Sequence, residues 1–101
     1  MKIKILGITY KVIEVPSISQ GEAKAGEIDH FKSEIKICSE LTNEHKKIVL
    51  LHETLHAILM QLGFYEEHDN ENLICSLSNA FYQVMKDNDD LFSSFWSSCL
   101  R

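Results

Sequence analysis

Long apolar runs are missing from this chain. Its longest uncharged apolar stretch falls far short of the roughly 20 residues that a membrane helix needs, so no membrane partner is expected. A leader pattern is missing too. Met1-Lys2-Ile3-Lys4-Ile5-Leu6 runs straight into Gly7 and a strand-like alternation, and no signal peptide is expected. Positive charge is scarce: ten Lys and Arg stand against fifteen Asp and Glu, for a formal net charge of −5. That balance excludes the basic patch of a nucleic-acid surface, and Lys46-Lys47 is too short a run to make one. Cysteine is sparse. Cys38, Cys75 and Cys99 are an odd, widely spaced set without a C-x-x-C pair, which reads as reduced thiols packed as small apolar groups. A reducing, cytoplasmic location follows as the expectation. No internal repeat or low-complexity tract interrupts the 101 residues, which suit one domain over residues 1–101 with one core.

The pattern along the chain divides in two. Residues from about 2 to 38 carry the β signals. Ile3 and Ile5 share one face; after Leu6-Gly7 the parity shifts, and Ile8, Tyr10 and Val12 share a face. Such a shift predicts a turn or bulge between two short strands. Pro16 ends this block, and residues 17 to 26 are polar and aperiodic, as a surface loop is. Ile28 and Phe31 precede a turn near Lys32-Ser33. Ile35 and Ile37 then alternate with Glu34, Lys36 and Cys38, which suits an antiparallel sheet or a sheet edge.

Helical spacing takes over afterwards. Thr42 or Asn43 is the expected N-cap of a helix over about 43–62, with Ile48, Leu51, Leu55, Ile58 and Leu62 on one stripe and Gly63 as its stop. Asp69 or Asn70 caps a second helix over about 70–86, carrying Leu73, Ile74, Leu77, Phe81, Val84 and Met85. The tail, 87–101, opens on the charged stop Asp87-Asn88-Asp89-Asp90. Phe92, Phe95, Trp96, Cys99 and Leu100 then form an apolar strip, expected as a last turn or two of helix docked on the body rather than as a partner surface.

One string names a chemistry. Residues 52 to 56 read His-Glu-Thr-Leu-His. On a helix, His52 and His56 project from one face a turn apart, so that two imidazole nitrogens can reach one zinc ion. Glu53 beside them is placed to take a proton from water activated by that ion. With five histidines in the chain, chance yields such a string roughly two times in a hundred, so the surroundings decide. They favour a metal, because two imidazoles among leucines are costly unless something pairs with them. A catalytic zinc takes a third protein ligand and keeps a position open. Two candidates follow the helix: His68, at the end of the connection, and Glu71, in the first turn of the next helix. Glu66, Glu67 and Asp69 read as a solvated acidic rim. Tyr65 and His68 are candidate donors to a developing oxyanion.

Gly26-x-Ile28-Asp29, Ile35-x-Ile37, Leu50-Leu51-His52-Glu53-x-Leu55-His56-Ala57-Ile58, Glu71-x-x-Ile74-x-x-Leu77 and Tyr82-Gln83-Val84-Met85-Lys86-Asp87-Asn88 together resemble the ImmA/IrrE-type metallopeptidases, especially short phage and prophage versions. The resemblance spans residues 26 to 90. It implies an α+β fold with a zincin-like minimal core: a small antiparallel sheet of three to four strands in the N-terminal half, packed on a helix pair with the zinc between helices. It also implies a Glu on the following helix as third ligand, which is Glu71 here, although the gap from His56 to Glu71 is shorter than in better known members. A SprT-like pattern, a more distant resemblance, would select His68 instead. The expectation is therefore a small zinc-dependent peptidase in which His52, His56 and Glu71 (alternatively His68) hold Zn²⁺ and Glu53 is the catalytic base. The resemblance further implies a phage- or prophage-encoded enzyme acting on a regulatory protein; a protein or peptide would be its substrate, and the strand around Ile35 to Ile37 would align it as an exposed edge. The competing expectation is a metallopeptidase-like interaction module without catalysis.

Overall fold

The computed structural model describes residues 1–16, 18 and 24–99, with residues 96, 98 and 99 as backbone only. Strands β1 (Lys2–Ile5) and β2 (Ile8–Val15) form an antiparallel hairpin in which Ile5 faces Ile8 and Ile3 faces Tyr10. Leu6 and Gly7 make its two-residue turn, with φ of 48° and 89°. Positive φ at both positions is the turn geometry whose twist suits a hairpin, and glycine adopts it without a Cβ clash. The parity shift at Leu6-Gly7 is this turn. Strands β3 (Gly26–Asp29) and β4 (Glu34–Cys38) form a second hairpin. Asp29 Oδ1 shapes the turn between them by accepting from the N–H groups of Phe31 and Lys32, at 3.0 Å each. The loop expected over residues 17 to 26 lies largely outside the described residues.

The sheet is mixed, which corrects the antiparallel expectation. Its order is β1-β2-β4-β3, and β2 runs parallel to β4 with Val12 opposite Ile35. The connection after Val15 is the cause. The chain first lays down β3 at the far edge, and β4 then turns back into the space beside β2. A parallel pair needs a crossover of about a dozen residues or more, and the segment from Pro16 to Ser33 supplies it. Strand β4 is thus interior, with Ile35 and Ile37 buried, and the edge strand on that side is β3.

Helix α1 (Asn43–Leu62) has the bounds read from the sequence. Thr42 Oγ1 accepts from the His45 N–H at 3.2 Å, satisfying one of the free donors at the helix start. Gly63, at φ 83°, closes the other end: its N–H donates to Met60 O and the Phe64 N–H to Leu59 O. A single turn, α2 (Tyr65–His68), occupies the expected connection. Helix α3 (Glu71–Asp87) is capped by Asn70 Oδ1, which accepts from the Leu73 N–H at 3.1 Å. Helix α4 (Asp89–Cys99) ends the described chain.

Helix α1 lies between the sheet and α3. Its sheet side closes the core of Ile5, Tyr10, Ile35, Ile37 and Ala57, with Val49, Leu50 and Ile58 packed around it. Gln61 Nε2 ties the end of α1 to β1 by donating to Ile5 O at 3.1 Å. The other side meets the stripe Ile74, Ser78 and Tyr82 of α3. The two helices run antiparallel, so Lys86 Nζ near the end of α3 reaches Glu44 Oε1 at the start of α1, at 2.8 Å. Among the described residues no further layer covers the outside of α3, so Phe81, Val84 and Met85 stay exposed although the spacing places them on an apolar stripe.

The tail departs from expectation. It is a full helix that, among the described elements, contacts α3 alone, and Leu91, Phe92 and Phe95 are exposed rather than docked on the body. The α-helical run breaks at Asn88, and α4 reaches neither α1 nor the sheet. The side chains of Trp96 and Cys99, and Leu100 as a whole, lie outside the described residues. No helix among the described residues is long and apolar enough to cross a membrane.

Candidate metal centre

His52 and His56 leave α1 one turn apart, with ring centroids separated by 4.8 Å and Nε2 atoms by 3.2 Å. Glu71, the first residue of α3, spans both. Its Oε1 lies 2.7 Å from His56 Nε2 and its Oε2 3.1 Å from His52 Nε2. The donor atoms of these three residues lie within 4.8 Å of one another, a group that could hold a metal ion. Two nitrogens bound at 2.0–2.1 Å to one tetrahedral ion stand about 3.3 Å apart, close to the observed spacing. Protonation fits the arrangement less well. If both Nε2 atoms carried protons toward Glu71, two N–H groups would oppose each other at 3.2 Å. If neither did, lone pairs would crowd a carboxylate, and if only His56 did, the bare His52 Nε2 would still face Glu71 Oε2 at 3.1 Å. A shared cation relieves each of these conflicts.

The fold explains why Glu71, rather than His68, completes this group. The Asn70 cap starts α3 beside His52 and His56, so the first helical residue projects straight at them. His68 belongs to the turn before and comes up on the opposite side of the His56 ring. Its Nδ1 lies 3.1 Å from His56 Nδ1 and 3.1 Å from the His56 carbonyl oxygen. Among the described residues it is a neighbour of the group, not a member.

Glu53 lies against β3 and lines the same cavity as the three-residue group. It is only 5 % exposed. Burial pushes its carboxyl up to about 7, helped by the negative charges of Glu71 and Glu27 and opposed by Lys24. Burial likewise holds His56 below the usual histidine range, against the pull of Glu71. The room for Glu53 comes from a glycine. A Cβ on Gly26 would collide with Val49 Cγ1 and stand 3.3 Å from Glu53 Oε1. Gly26 is therefore required by the close approach of β3 to α1, and its φ is not in the left-handed range. Gly26→Ala is expected to destabilise the protein by about 1–3 kcal/mol through overpacking. Denaturant unfolding measures this, and Val49→Ala should recover part of the loss in the double variant; unchanged stability of Gly26→Ala would show that the two elements separate freely.

Two surrounding residues complete the picture. Cys75, one turn after Glu71, is exposed rather than packed, with Sγ 3.7 Å from His52 Nδ1. The apolar reading of this cysteine fails because its face of α3 borders the site and not the core. His30, in the turn after β3, escapes any reading by spacing, since it lies 22 residues before His52 in a segment with no helical period. Its ring meets His68 edge-on at 5.3 Å, and His68 in turn meets His56 at 4.7 Å. Four histidines from three elements thus stand in a row. An open cavity of about 680 Å³ runs over them, walled by β3 on one side and α3 on the other. Asp69 borders it; Tyr65, the sequence candidate for an oxyanion donor, does not. No family model matches the chain, and no curated protein or solved structure matches it.

Proposed function

We propose that this chain is a small zinc-dependent peptidase of the ImmA/IrrE type, built on a zincin-like core and acting on a protein or peptide in the cytoplasm. The observation that carries the reading is the convergence of His52, His56 and Glu71 at the floor of an open cavity that also holds the buried carboxyl of Glu53. His52 Nε2, His56 Nε2 and the Glu71 carboxylate would hold the ion, and two imidazoles with one carboxylate suit zinc. When bound, the metal supplies a Lewis acid that makes water nucleophilic near neutral pH and polarises a carbonyl. Glu53 takes the proton of the attacking water on a carboxylate oxygen and returns it to the departing amine. Burial makes that carboxylate a stronger base than an exposed one, which suits it to accept the proton. Among the described residues β3 is an edge strand, and its outer side can bind an extended peptide by strand addition, a role that falls to Gly26–Asp29 because β4 is interior.

The test joins metal analysis to cleavage. Purified protein should carry one zinc per chain and cut members of a peptide library. Glu53→Gln should keep the zinc and lose at least about 10²-fold in rate. Cleavage that survives this substitution would sink the mechanism. A second reading, a metal-holding interaction module without catalysis, draws on the exposed Phe81, Val84 and Met85 of α3 and Leu91, Phe92 and Phe95 of α4. Stoichiometric zinc without cleavage of any library member would favour it.

A further inference from the structure

We infer that the apolar face shared by α3 and α4 is a contact between two copies of this chain, packed antiparallel about a two-fold axis at Asn88. The cavity borders Glu71, Cys75, Ser78 and Asn79, on another side of α3, and the inference does not rest on the metal-site reading.

Helix α4 supplies the first observation. Its 11 residues contact α3 alone among the described elements. A helix of that length is marginal in water without support. Leu91 is its one strong helix former, among serines, aspartates and aromatics. What holds such a helix is an apolar face packed against something. Leu91, Phe92 and Phe95 form that face, and they are 46 to 65 % exposed.

The face continues onto α3. Val84 and Leu91 are seven residues apart, as are Met85 and Phe92, and Phe81 precedes Phe95 by fourteen. This heptad spacing survives the break at Asn88 because the hydrogen bonds keep its phase. The Asn88 N–H donates to Val84 O at 3.2 Å and the Phe92 N–H to Asn88 O at 3.0 Å, both in the α-helical pattern. All six side chains are about half exposed. At roughly 150–200 Å² for each large apolar side chain, they leave about 500–600 Å² of apolar surface. A homodimer interface is about 65 % apolar, so this patch would centre a contact of about 850 Å² per partner. A stable interface of standard size needs about 800 Å².

Self-complementarity selects a second copy as the occupant. In an antiparallel pair with the axis at Asn88, Phe81 comes level with the partner's Phe95, Val84 with the partner's Phe92 and Met85 with the partner's Leu91. Apolar meets apolar at each level, as a two-fold contact of one patch with itself requires. Asp87, Asp89 and Asp90 are exposed, and at 100° per residue they sit about 100° or more from the centre of the face. They stay in water, where salt screens their repulsion.

Sedimentation velocity of the purified chain over a dilution series tests this. Particles of two chains should separate into single chains on dilution, and added salt should not weaken them. A single-chain mass at every concentration overturns the inference and leaves the face to another occupant, such as a basic amphipathic helix of a different protein. Weakening by salt overturns an apolar contact. Phe81→Lys and Phe95→Glu should each loosen the dimer at least about 10-fold, since every dimer carries the change twice. Undiminished association of both variants overturns the contact. The double variant Phe81→Lys/Phe95→Glu sets opposite charges level with each other across the axis and should pair more tightly than either single variant. A double variant no tighter than the single ones overturns the antiparallel register. Both positions are exposed, so the fold should survive; should a variant fail to fold, the wild-type dilution series still decides.

Discussion

His56→Ala is expected to lose the metal. His56 contributes one of the donor nitrogens of the three-residue group and is the most buried of the three. Four ligands of a structural zinc share about 10–16 kcal/mol of binding free energy, so one ligand carries about 2.5–4 kcal/mol. At 1.4 kcal/mol per tenfold, that is a loss of about 60–700-fold in affinity. Its upper range exceeds the roughly 10–100-fold expected for an outer partner such as His68. The ranking is itself a test. Competition titrations with a zinc chelator should order the variants His56→Ala below His68→Leu below wild type. If His68→Leu proved the weaker binder, Glu71 and His68 would have to exchange roles. Glu71→Gln separates the cases again, because it keeps the shape of Glu71 and removes the charge that spans both histidines.

The second large effect is on stability and follows from Glu53. In the metal-free protein its carboxyl is raised from 4.5 to about 7. A raised acid contributes stability that is fully present below its unfolded value and is lost as pH climbs through the folded one. Wild type therefore gives up stability between about pH 4.5 and 7 on account of this group. A gap of that size corresponds to about 3 kcal/mol at most. Gln mimics the protonated carboxyl and carries no charge at any pH. Glu53→Gln should accordingly unfold later than wild type at pH 8, by up to about 3 kcal/mol, with the difference shrinking below about 1 kcal/mol by pH 5. His56 has the opposite slope, because its lowered value removes stability as pH falls. Subtracting the two variants' curves cancels that contribution. Added zinc should narrow the gap, since a cation favours the charged carboxylate. A Glu53→Gln protein no more stable than wild type at pH 8 would mean that Glu53 is solvated in the absence of metal. The same substitution that removes the proposed base should thus strengthen the fold, the pattern expected where a buried charge serves chemistry rather than stability.

Much of the local architecture is written in neighbouring residues. Thr42 and Gly63 bracket α1 because a cap and a left-handed stop each act within one helical turn. Asn70 starts α3 for the same reason. The Leu6-Gly7 turn shows in the parity of the apolar residues on either side of it. The pair His52 and His56 is likewise local, since 3.6 residues per turn alone put them on one face. These statements need no knowledge of where the rest of the chain goes.

The remainder depends on which elements meet. Alternation in Ile35 and Ile37 describes a strand with one apolar face, but the same alternation serves an edge and an interior position. Only the return of β4 between β3 and β2 made it interior and left β3 at the border of the cavity. Phe81 and Leu91 carry the apolar character of buried residues and stay exposed, because none of the described residues forms a layer outside α3 and α4. His30 joined the row of histidines through the β3–β4 turn, at a separation that no periodicity bridges. Glu71 and His68, three residues apart, ended on opposite sides of one imidazole because α2 ends at His68 and the Asn70 cap then starts a new helix at Glu71. By itself, then, the sequence determined helices α1 and α3, the caps that start them, the Gly63 stop, and the His52-Glu53-His56 face, all consequences of forces acting over a few residues. The tertiary structure alone decided the third member of the group, the strand beside it, and the depth of Glu53, because each is a distance between segments far apart along the chain.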